Sequence, residues 1–439
     1  MESRHCRTSI AIGSFLMLIL AAIAFVPSTT MAQQHYEGYY LFMGSRPDNE
    51  EPFYSDNVQG LTHDTANWFI TQEKDLWKIP ATYDLTQNGV GSSDPGVIHV
   101  NISDDPIGQL GHSHFGDPDY YKGYLLVPTG FKEDQPNGIL LFKGSDLTFL
   151  GSALLPTGVE DGGWVAVDKA GYIYTSPDNL TSVQKYSLRW DLVPGEPQGF
   201  TLSLTLVSDI PVVDENGAAL NLGLMGGGVF SPSNDLIYIV TGGMCKDCPD
   251  GVDIDVDWMK EHGGIHVLDT RSQPWRRVQK STNGSGYFNY MFEPGLLGGC
   301  DEPEGLTYWD LDSVTNVNAS MKGQGQLHVF MLDNDIDQDD ASLYHYTNTI
   351  HVNGASTGDE TGTYQKPFKT VGGANSLAWY GARVKIQAGS YAESLTFSKQ
   401  IQVLASGGTA RVGSIGQFSL TPSARINLYS GGAMKLTGQ

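Results

Sequence analysis

A unit of short apolar runs recurs through the middle of this chain, and it limits the fold more than any other feature. Its clearest copy runs from Asp301 to Asp335, where an acidic, glycine-rich segment precedes two apolar runs separated by a polar turn. The copies begin near glycines at positions 60, 111, 162, 226 and 305, which are separated by 51, 51, 64 and 79 residues. A period near 50 residues fits one four-stranded antiparallel sheet with its loops.

Each copy contains the apolar runs and tight turns of β-hairpins. The predicted strands are 68–72, 76–79, 124–128, 139–143, 164–168, 172–176, 183–188, 264–269 and 343–346. Such sheets are apolar on both faces, so they must pack face to face in a closed ring. We therefore predict an all-β chain with a five- or six-bladed β-propeller over residues 36–349.

Three details of the propeller stay open at this point. A sixth blade would have to come from residues 191–225 or 270–300. The apolar run 39–43 is expected to complete the last blade. Two packed sheets in a sandwich are the structural alternative, against which the regular spacing argues.

The composition agrees with a β-rich, acidic protein. The chain has 439 residues, which exceeds a usual single core, with 53 Gly, 21 Pro and 17 % charged residues. Its formal net charge of -23 makes nucleic acid and anionic lipid poor partners and cations good ones.

The first 32 residues have the pattern of an export signal. Arg4 and Arg7 precede an apolar run from Ile10 to Val26, and small residues follow near Ala32. A retained membrane anchor is the alternative, since the apolar run is long. The mature chain is expected to be secreted or held at the cell surface, without a membrane span.

Three cysteines remain after such a signal is removed, namely Cys245, Cys248 and Cys300. An odd number cannot pair completely within one chain. Cys245 and Cys248 have the spacing of a zinc or redox pair, but an exported protein favours a disulfide. We treat all three as disulfide candidates.

The last ninety residues differ in character from the rest of the chain. They include Val352-Asn353-Gly354, the segments 366–370 and 384–389, and Tyr391 and Glu393. Through these residues the segment resembles the opening of right-handed parallel β-helix proteins of the pectin-lyase-like class. The resemblance implies a short β-helix-like module over residues 350–439. The alternating pattern predicts strands at 384–386, 395–397, 401–403 and 426–428, and a small capping helix is expected within 371–380. The module lacks the carboxylate cluster that binds calcium in such lyases, so no lyase chemistry is carried over.

Charge also separates the two parts. Residues 350–439 hold eight Lys or Arg against three Asp or Glu, a net charge of +5. Because the whole chain has a net charge of -23, residues 1–349 have a net charge of -28. A basic module beside an acidic ring would dock on that ring or meet an anionic glycan. A solvated, mildly basic surface is the alternative.

Acidic and imidazole side chains gather where the copies begin, positions that meet at the central channel of a propeller. They are His63, Asp64, His112, His114, Asp117, Glu302 and Glu304. Carboxylates that meet at one point favour a calcium ion, and imidazoles among them would allow a transition metal or a general base. Alternatively, these side chains hydrogen-bond the loops together.

This layout resembles the calcium-dependent propeller hydrolases, including the paraoxonase and gluconolactonase groups, but no motif transfers a catalytic residue. A second candidate calcium site is an acidic run containing Asp333, Asp335, Asp337 and Asp339, which lacks the central Gly and final Glu of an EF-hand. A solvated turn is its alternative. The chain contains no GxSxG, GxxxxGK[ST] or HExxH motif.

These features predict a secreted binding or scaffold protein that recognises a surface glycan or a protein partner, with calcium as the candidate ion. The rival hypothesis is a metal-dependent ester or lactone hydrolase with its site in the channel. Convergence of the candidate ligands on one point would favour the hydrolase.

Overall fold

The computed structural model describes a large part of the chain. The described residues are 40–49, 53–85, 90–112, 114–130, 137–155, 163–177, 180–192, 200–223, 225–242, 244–245, 262–281, 300–334, 339–379, 382–393, 395–397, 401–413, 418–420, 426–427 and 434–436. The predicted export signal lies outside them. Within these ranges, no helix has the length and apolar character needed to cross a bilayer.

Four-stranded antiparallel sheets follow one another along the chain, as the repeat predicts. The first strand is β1 Leu41–Asn49. Blade 1 consists of β2 Val58–His63, β3 Asn67–Gln72, β4 Asp75–Pro80 and β5 Ile98–Asn101, and blade 2 of β6 Asp119–Tyr121, β7 Tyr124–Thr129, β8 Gly138–Lys143 and β9 Phe149–Leu154. Blade 3 consists of β10 Ala166–Val167, β11 Tyr172–Thr175, β12 Ser182–Leu192 and β13 Phe200–Val213, and blade 4 of β14 Met225–Phe230, β15 Leu236–Thr241, β17 Gly264–Asp269 and β18 Trp275–Lys280. Blade 5 contains β19 Cys300–Tyr308, β20 Leu327–Asn334 and β21 Asp339–Thr347, and the short strand β16 is Met244–Cys245. β16 pairs with β19 at the edge of blade 5.

The N-terminal strand completes the last blade, which confirms that prediction. β1 pairs antiparallel with β21, from Leu41 opposite Thr347 to Asn49 opposite Ala341. Blade 5 is therefore built from both ends of the repeat region, and this joins the ring without a covalent bond.

One apolar core fills each interface between neighbouring blades. Between blades 5 and 1, for example, Trp68 and Ile70 pack with Phe330 and Leu332. Similar cores lie between blades 1 and 2, 2 and 3, 3 and 4, and 4 and 5. The five interfaces close the ring, so the described residues form a five-bladed β-propeller.

The two regions that could have held a sixth blade belong to existing blades where they are described. Residues 200–213 form β13, the outer strand of blade 3, and residues 275–280 form β18, the outer strand of blade 4. The two strands touch through a short parallel pairing of Val212 with Trp275. The longer repeat spacings therefore come from long strands and loops.

Blade 5 also provides a backbone arrangement that bears on the cysteines. Cys245 in β16 lies directly opposite Cys300 in β19 in an antiparallel register, and Cys248 lies outside the described residues. Opposed positions of this kind bring two Cα atoms to within about 4.5–5.5 Å, a distance at which disulfides form.

We expect a disulfide between Cys245 and Cys300. Non-reducing peptide mapping by mass spectrometry of the purified protein should recover this pair with Cys248 as a separate thiol. By the chain-entropy model, such a loop would stabilise the fold by about 4 kcal/mol. A Cys245–Cys248 peptide would contradict the expectation.

The C-terminal residues form parallel sheets. β22 Thr349–Val352, β23 Arg383–Tyr391, β25 Ile401–Val412, β27 Ile426–Asn427 and β28 Met434–Leu436 pair in parallel, and β24 Leu395–Phe397 pairs in parallel with β26 Phe418–Leu420. Register stacks Ile350, Val384 and Val403 into one apolar ladder. The helix α1 spans Val371–Leu377 inside the range predicted, and the Thr370 hydroxyl caps it by accepting the Gly373 N–H at 3.0 Å.

A buried hydrogen bond between a histidine and a carboxylate joins these parallel sheets to blade 5. His351 Nε2 lies 2.9 Å from Asp312 Oδ2, and both side chains are nearly inaccessible. The Gln326 amide donates to the same carboxylate at 2.9 Å, and the Gly325 N–H donates to Asp312 Oδ1 at 3.1 Å. Burial alone would raise the pKa of Asp312, but His351, Gln326 and Gly325 together lower it below its usual value.

Asp312→Asn is expected to lower the free energy of unfolding at pH 7 by about 2–3 kcal/mol, because a charge-assisted hydrogen bond is lost. Since the folded-state pKa of Asp312 is lowered, its contribution is present above the unfolded pKa near 4 and is lost as the pH falls through the folded value. Urea unfolding of variant and wild type from pH 7 to pH 2.5 should therefore show a shrinking difference. The matched control is Asp310→Asn, which removes a carboxylate that accepts from the same Gln326 amide at 2.9 Å. A constant difference across this range would contradict the assignment.

Candidate functional site

The channel axis is occupied by the side chain of Asp117, around which three glycines close. A Cβ atom at Gly227 or Gly305 would lie 2.3 Å from an oxygen of the Asp117 carboxylate, and one at Gly60 would lie 2.4 Å from the Asp117 Cα. These glycines belong to blades 4, 5 and 1. Only residues without a Cβ allow the inner strands to approach this carboxylate so closely.

Asp117 connects all five blades. Its carboxylate accepts the N–H of Leu61 from blade 1 and of Gly228 from blade 4, each at 3.1 Å, and that of Leu306 from blade 5. Its own N–H donates to the carbonyl of Gly163, which leads into blade 3, at 2.8 Å. Burial raises the pKa of Asp117 well above its usual range, and the three backbone donors oppose this shift.

We call the Asp117 carboxylate and the backbone groups around it the hub. A second carboxylate, that of Asp119, lies beside the hub and was missed by the sequence analysis. It accepts the N–H groups of Tyr120 and Val167, both at 2.7 Å, and the Thr62 hydroxyl at 3.5 Å. Burial raises its pKa to about 7. The signal that could have found it is the spacing of two from Asp117, since alternate residues of a strand face the same side.

Asp119→Asn is expected to flatten the pH dependence of stability. A carboxyl group whose folded-state pKa is raised stabilises most below its unfolded pKa near 4, and this contribution falls by at most about 1.4 kcal/mol per pH unit until the pH passes about 7. Thermal or urea unfolding at pH 4.5, 5.5 and 6.5 measures that slope. An unchanged slope in the variant would show that Asp119 ionises normally.

The candidates Glu302 and Glu304 do come together. They lie on β19, where a bulge interrupts the register between Pro303 and Gly305. Burial raises the pKa of Glu304 well above its usual value, and the charge of Glu302 and a hydrogen bond with it raise the pKa further. Burial and the neighbouring Glu302 therefore favour the protonated form of Glu304, an arrangement known from acid–base sites.

His63 lies on the far side of the hub from this pair. His63 follows Gly60 by three residues and contacts the carbonyl of Tyr308 at 2.9 Å, whereas Glu302 precedes Gly305 by three. At about 3.3 Å per residue, the two positions are separated by roughly 20 Å along the axis. The structure thus separates residues that the sequence analysis grouped.

The other histidine candidates and Asp64 each have their own local partners. His63 also contacts the Asp64 carbonyl at 2.7 Å and stacks on Trp309 with ring centres 4.3 Å apart. His112 Nδ1 contacts the Thr129 hydroxyl at 2.9 Å, and His114 Nε2 contacts Gln59 Oε1 at 2.6 Å.

Burial lowers the pKa of both His63 and His114. Asp64 closes a turn by accepting the N–H groups of Ala66 and Asn67, each at 2.7 Å. These contacts agree with the alternative that the side chains hold loops together.

Within the described ranges, no three His, Cys, Asp or Glu side chains are arranged so that they could hold a metal ion. The acidic run of the second calcium candidate lies outside this statement, because the side chains of Asp333, Asp335, Asp337 and Asp339 are not among the described ones. The metal hypotheses therefore stay predictions.

Comparisons with known proteins give distant structural likenesses alone. No family model matches the chain, and a search of curated proteins finds no match. A GH43 β-xylosidase/α-arabinofuranosidase from a compost microbial metagenome is 11 % identical, with 68 % of this chain and 94 % of that chain covered and a TM-score of 0.35. A streptogramin B lyase is 10 % identical over 72 % of this chain and 100 % of its own, with a TM-score of 0.29.

A functionally unknown protein from Desulfotomaculum acetoxidans is 11 % identical over 66 % of this chain and 89 % of its own, with a TM-score of 0.30. Because these sequence identities and TM-scores are low, the assignment of the propeller fold depends on the strand order of this chain and on the closure of its ring.

Proposed function

We propose that this protein is an exported binding protein, in which a rigid propeller and a short C-terminal module present a surface to a glycan or to a protein partner. The observation that carries the proposal is the hub. Asp117, the most central of the candidate ligands, accepts backbone N–H groups from three blades, so its hydrogen-bonding capacity serves the scaffold. Export follows from the signal predicted over residues 1–32, and the retained anchor remains its alternative.

The C-terminal residues are proposed to be the start of a right-handed parallel β-helix. Their parallel register and stacked apolar ladder support this. Residues 350–439 have a charge balance of +5, so this module would attract an anionic glycan or the acidic propeller. The propeller, being acidic, would repel an anionic glycan.

A glycan array probed with the mature chain, residues 33–439, tests the binding function. We expect retention on a defined subset of glycans, at micromolar to millimolar affinity, with and without calcium in the buffer. A co-purification from the surface fraction of the producing cells tests the protein-partner form. Failure of both would contradict the proposal.

The second candidate function is metal-dependent hydrolysis of an ester or lactone, and the Glu302–Glu304 pair favours it. A carboxyl group with a raised pKa beside a second carboxyl group offers a general acid and base, or the ionised pair offers oxygen ligands for a calcium ion. Calcium titration by calorimetry is the test, with Glu304→Gln as the variant and Glu360→Gln as an exposed control. Stoichiometric calcium lost only in Glu304→Gln, together with turnover of an ester or lactone, would replace the binding proposal.

A further inference from the structure

A cleft of about 640 Å³ lies where the propeller meets the C-terminal module. The start of β1 supplies Phe42 and Met43, the loop before β20 supplies Gln324, and the turn before α1 supplies Thr363 and Gln365. Its volume falls within the range of about 300–1,000 Å³ of small-ligand sites, which often form between domains. None of these residues belongs to the channel candidates.

The apolar wall of the cleft is held rigidly. The Phe42 ring packs against Tyr344 and Tyr346 of β21, with ring centres 5.4 Å away in both cases. Leu41, the preceding residue, packs against the core of the C-terminal module. An aromatic face anchored in this way is a firm surface for the apolar side of a ligand.

The polar wall consists of two amides that are each oriented by one hydrogen bond, and of two threonine hydroxyls that contact each other and the Lys366 backbone. Gln365 Nε2 donates to the Lys322 carbonyl at 2.6 Å and so spans from the module to the propeller. Gln324 Nε2 donates to the Ser320 carbonyl at 3.1 Å, and the Thr361 and Thr363 hydroxyls lie 3.1 Å apart. A primary amide has two N–H donors and a carbonyl acceptor, so one such bond positions the group and leaves capacity for a ligand.

Charge selects the class of ligand. Of the described residues that line the cleft, Lys366 is the charged one, and its ammonium group lies 3.4 Å from the Asp359 carboxylate. The walls therefore carry little net charge. A ligand that matches them has an apolar face and several uncharged hydroxyl groups, which is the chemistry of a pyranose ring.

We propose that this cleft binds a small neutral saccharide, with the sugar face against Phe42 and its hydroxyls directed to the Gln324, Gln365 and threonine side chains. The inference builds on the glycan form of the proposed function and gives it a location. It is distinct from an electrostatic contact of the basic module with an anionic glycan.

The test is calorimetric titration of the mature chain with neutral gluco-, galacto-, manno- and xylo-configured di- and trisaccharides. Ala319 lines the cleft and is exposed, so Ala319→Trp should fill it and raise Kd at least about tenfold, and Gln365→Ala should raise Kd about three- to tenfold. The matched control is Ala170→Trp, at an exposed turn of blade 3, which should bind like the wild type. Thermal unfolding verifies that all variants fold alike.

Unchanged affinity in both cleft variants would overturn the location but leave glycan binding standing. Binding restricted to acidic saccharides, lost in Lys366→Gln, would overturn the neutral ligand class. If the wild type binds no saccharide here or on the array, both the cleft proposal and the glycan form of the proposed function are overturned.

Discussion

Asp117→Ala is expected to lower the free energy of unfolding by about 3–5 kcal/mol, because three buried backbone donors lose their acceptor at once. The N–H groups of Leu61, Gly228 and Leu306 meet at the axis, where the surrounding glycines provide no side chain to replace the carboxylate. An unsatisfied buried donor costs about 1–3 kcal/mol. Relief of the cost of burying the carboxylate offsets part of the sum.

Comparison with Asp117→Asn separates hydrogen bonding from volume. The amide keeps the shape and one acceptor but turns an N–H₂ group toward backbone donors, so about 2–4 kcal/mol of the loss should remain. Urea unfolding followed by tryptophan fluorescence measures both variants. The control is Asp359→Ala, whose side chain is 81 % exposed and which should change stability by less than about 0.5 kcal/mol.

A loss below about 1 kcal/mol in Asp117→Ala would mean that water or a backbone shift replaces the carboxylate, and the hub would then not hold the blades. It would also return Asp117 to the set of groups available for a ligand, and so weaken the scaffold argument. The experiment therefore bears on the function as well as on the fold.

The order of strands could be predicted from the sequence because it depends on local patterns. The apolar runs 124–128 and 139–143, for example, correspond to β7 and β8, and the turns that bound them can be recognised in the sequence. Closure by the N-terminal strand could be predicted for a similar reason, since an unpaired apolar run needs an edge to pair with. The number of blades required the packing itself, because long strands such as β13 occupy the space suggested for a sixth.

The candidate site could be predicted only in part, because its geometry depends on how far along the central axis of the propeller each side chain lies. Gly111 has the repeat spacing, but it ends a 3₁₀ helix, Ile107–Leu110, and the position facing Gly60 and Gly305 is filled by Asp117. His63 and Glu302 begin equivalent copies, yet a few residues of offset place them on opposite sides of the hub. Such offsets are set by strand register across blades, which has no local sequence signal.

Gly305→Ala is expected to cost about 4 kcal/mol or more and to leave little folded protein at 37 °C. The new Cβ would lie 2.3 Å from Asp117 Oδ1 and 2.6 Å from the Gly60 Cα, so it meets a buried carboxylate on one side and backbone on the other. Neither neighbour can rotate away, because Asp117 is held by three blades. The inner strands of blades 1 and 5 would have to separate, which opens the apolar core around Trp68 and Phe330.

The matched control is Gly358→Ala, which makes the same chemical change at a glycine whose added Cβ would meet nothing within 4 Å. Soluble yield and thermal unfolding should place this variant with the wild type and Gly305→Ala far below it. A second substitution, Asp117→Gly in the Gly305→Ala background, removes the carboxylate clash but leaves the Gly60 backbone contact, so we expect no recovery. Recovery would show that the carboxylate, and not the approach of the two strands, limits the space for a side chain at position 305. A folded Gly305→Ala single variant would refute the close packing of the hub altogether.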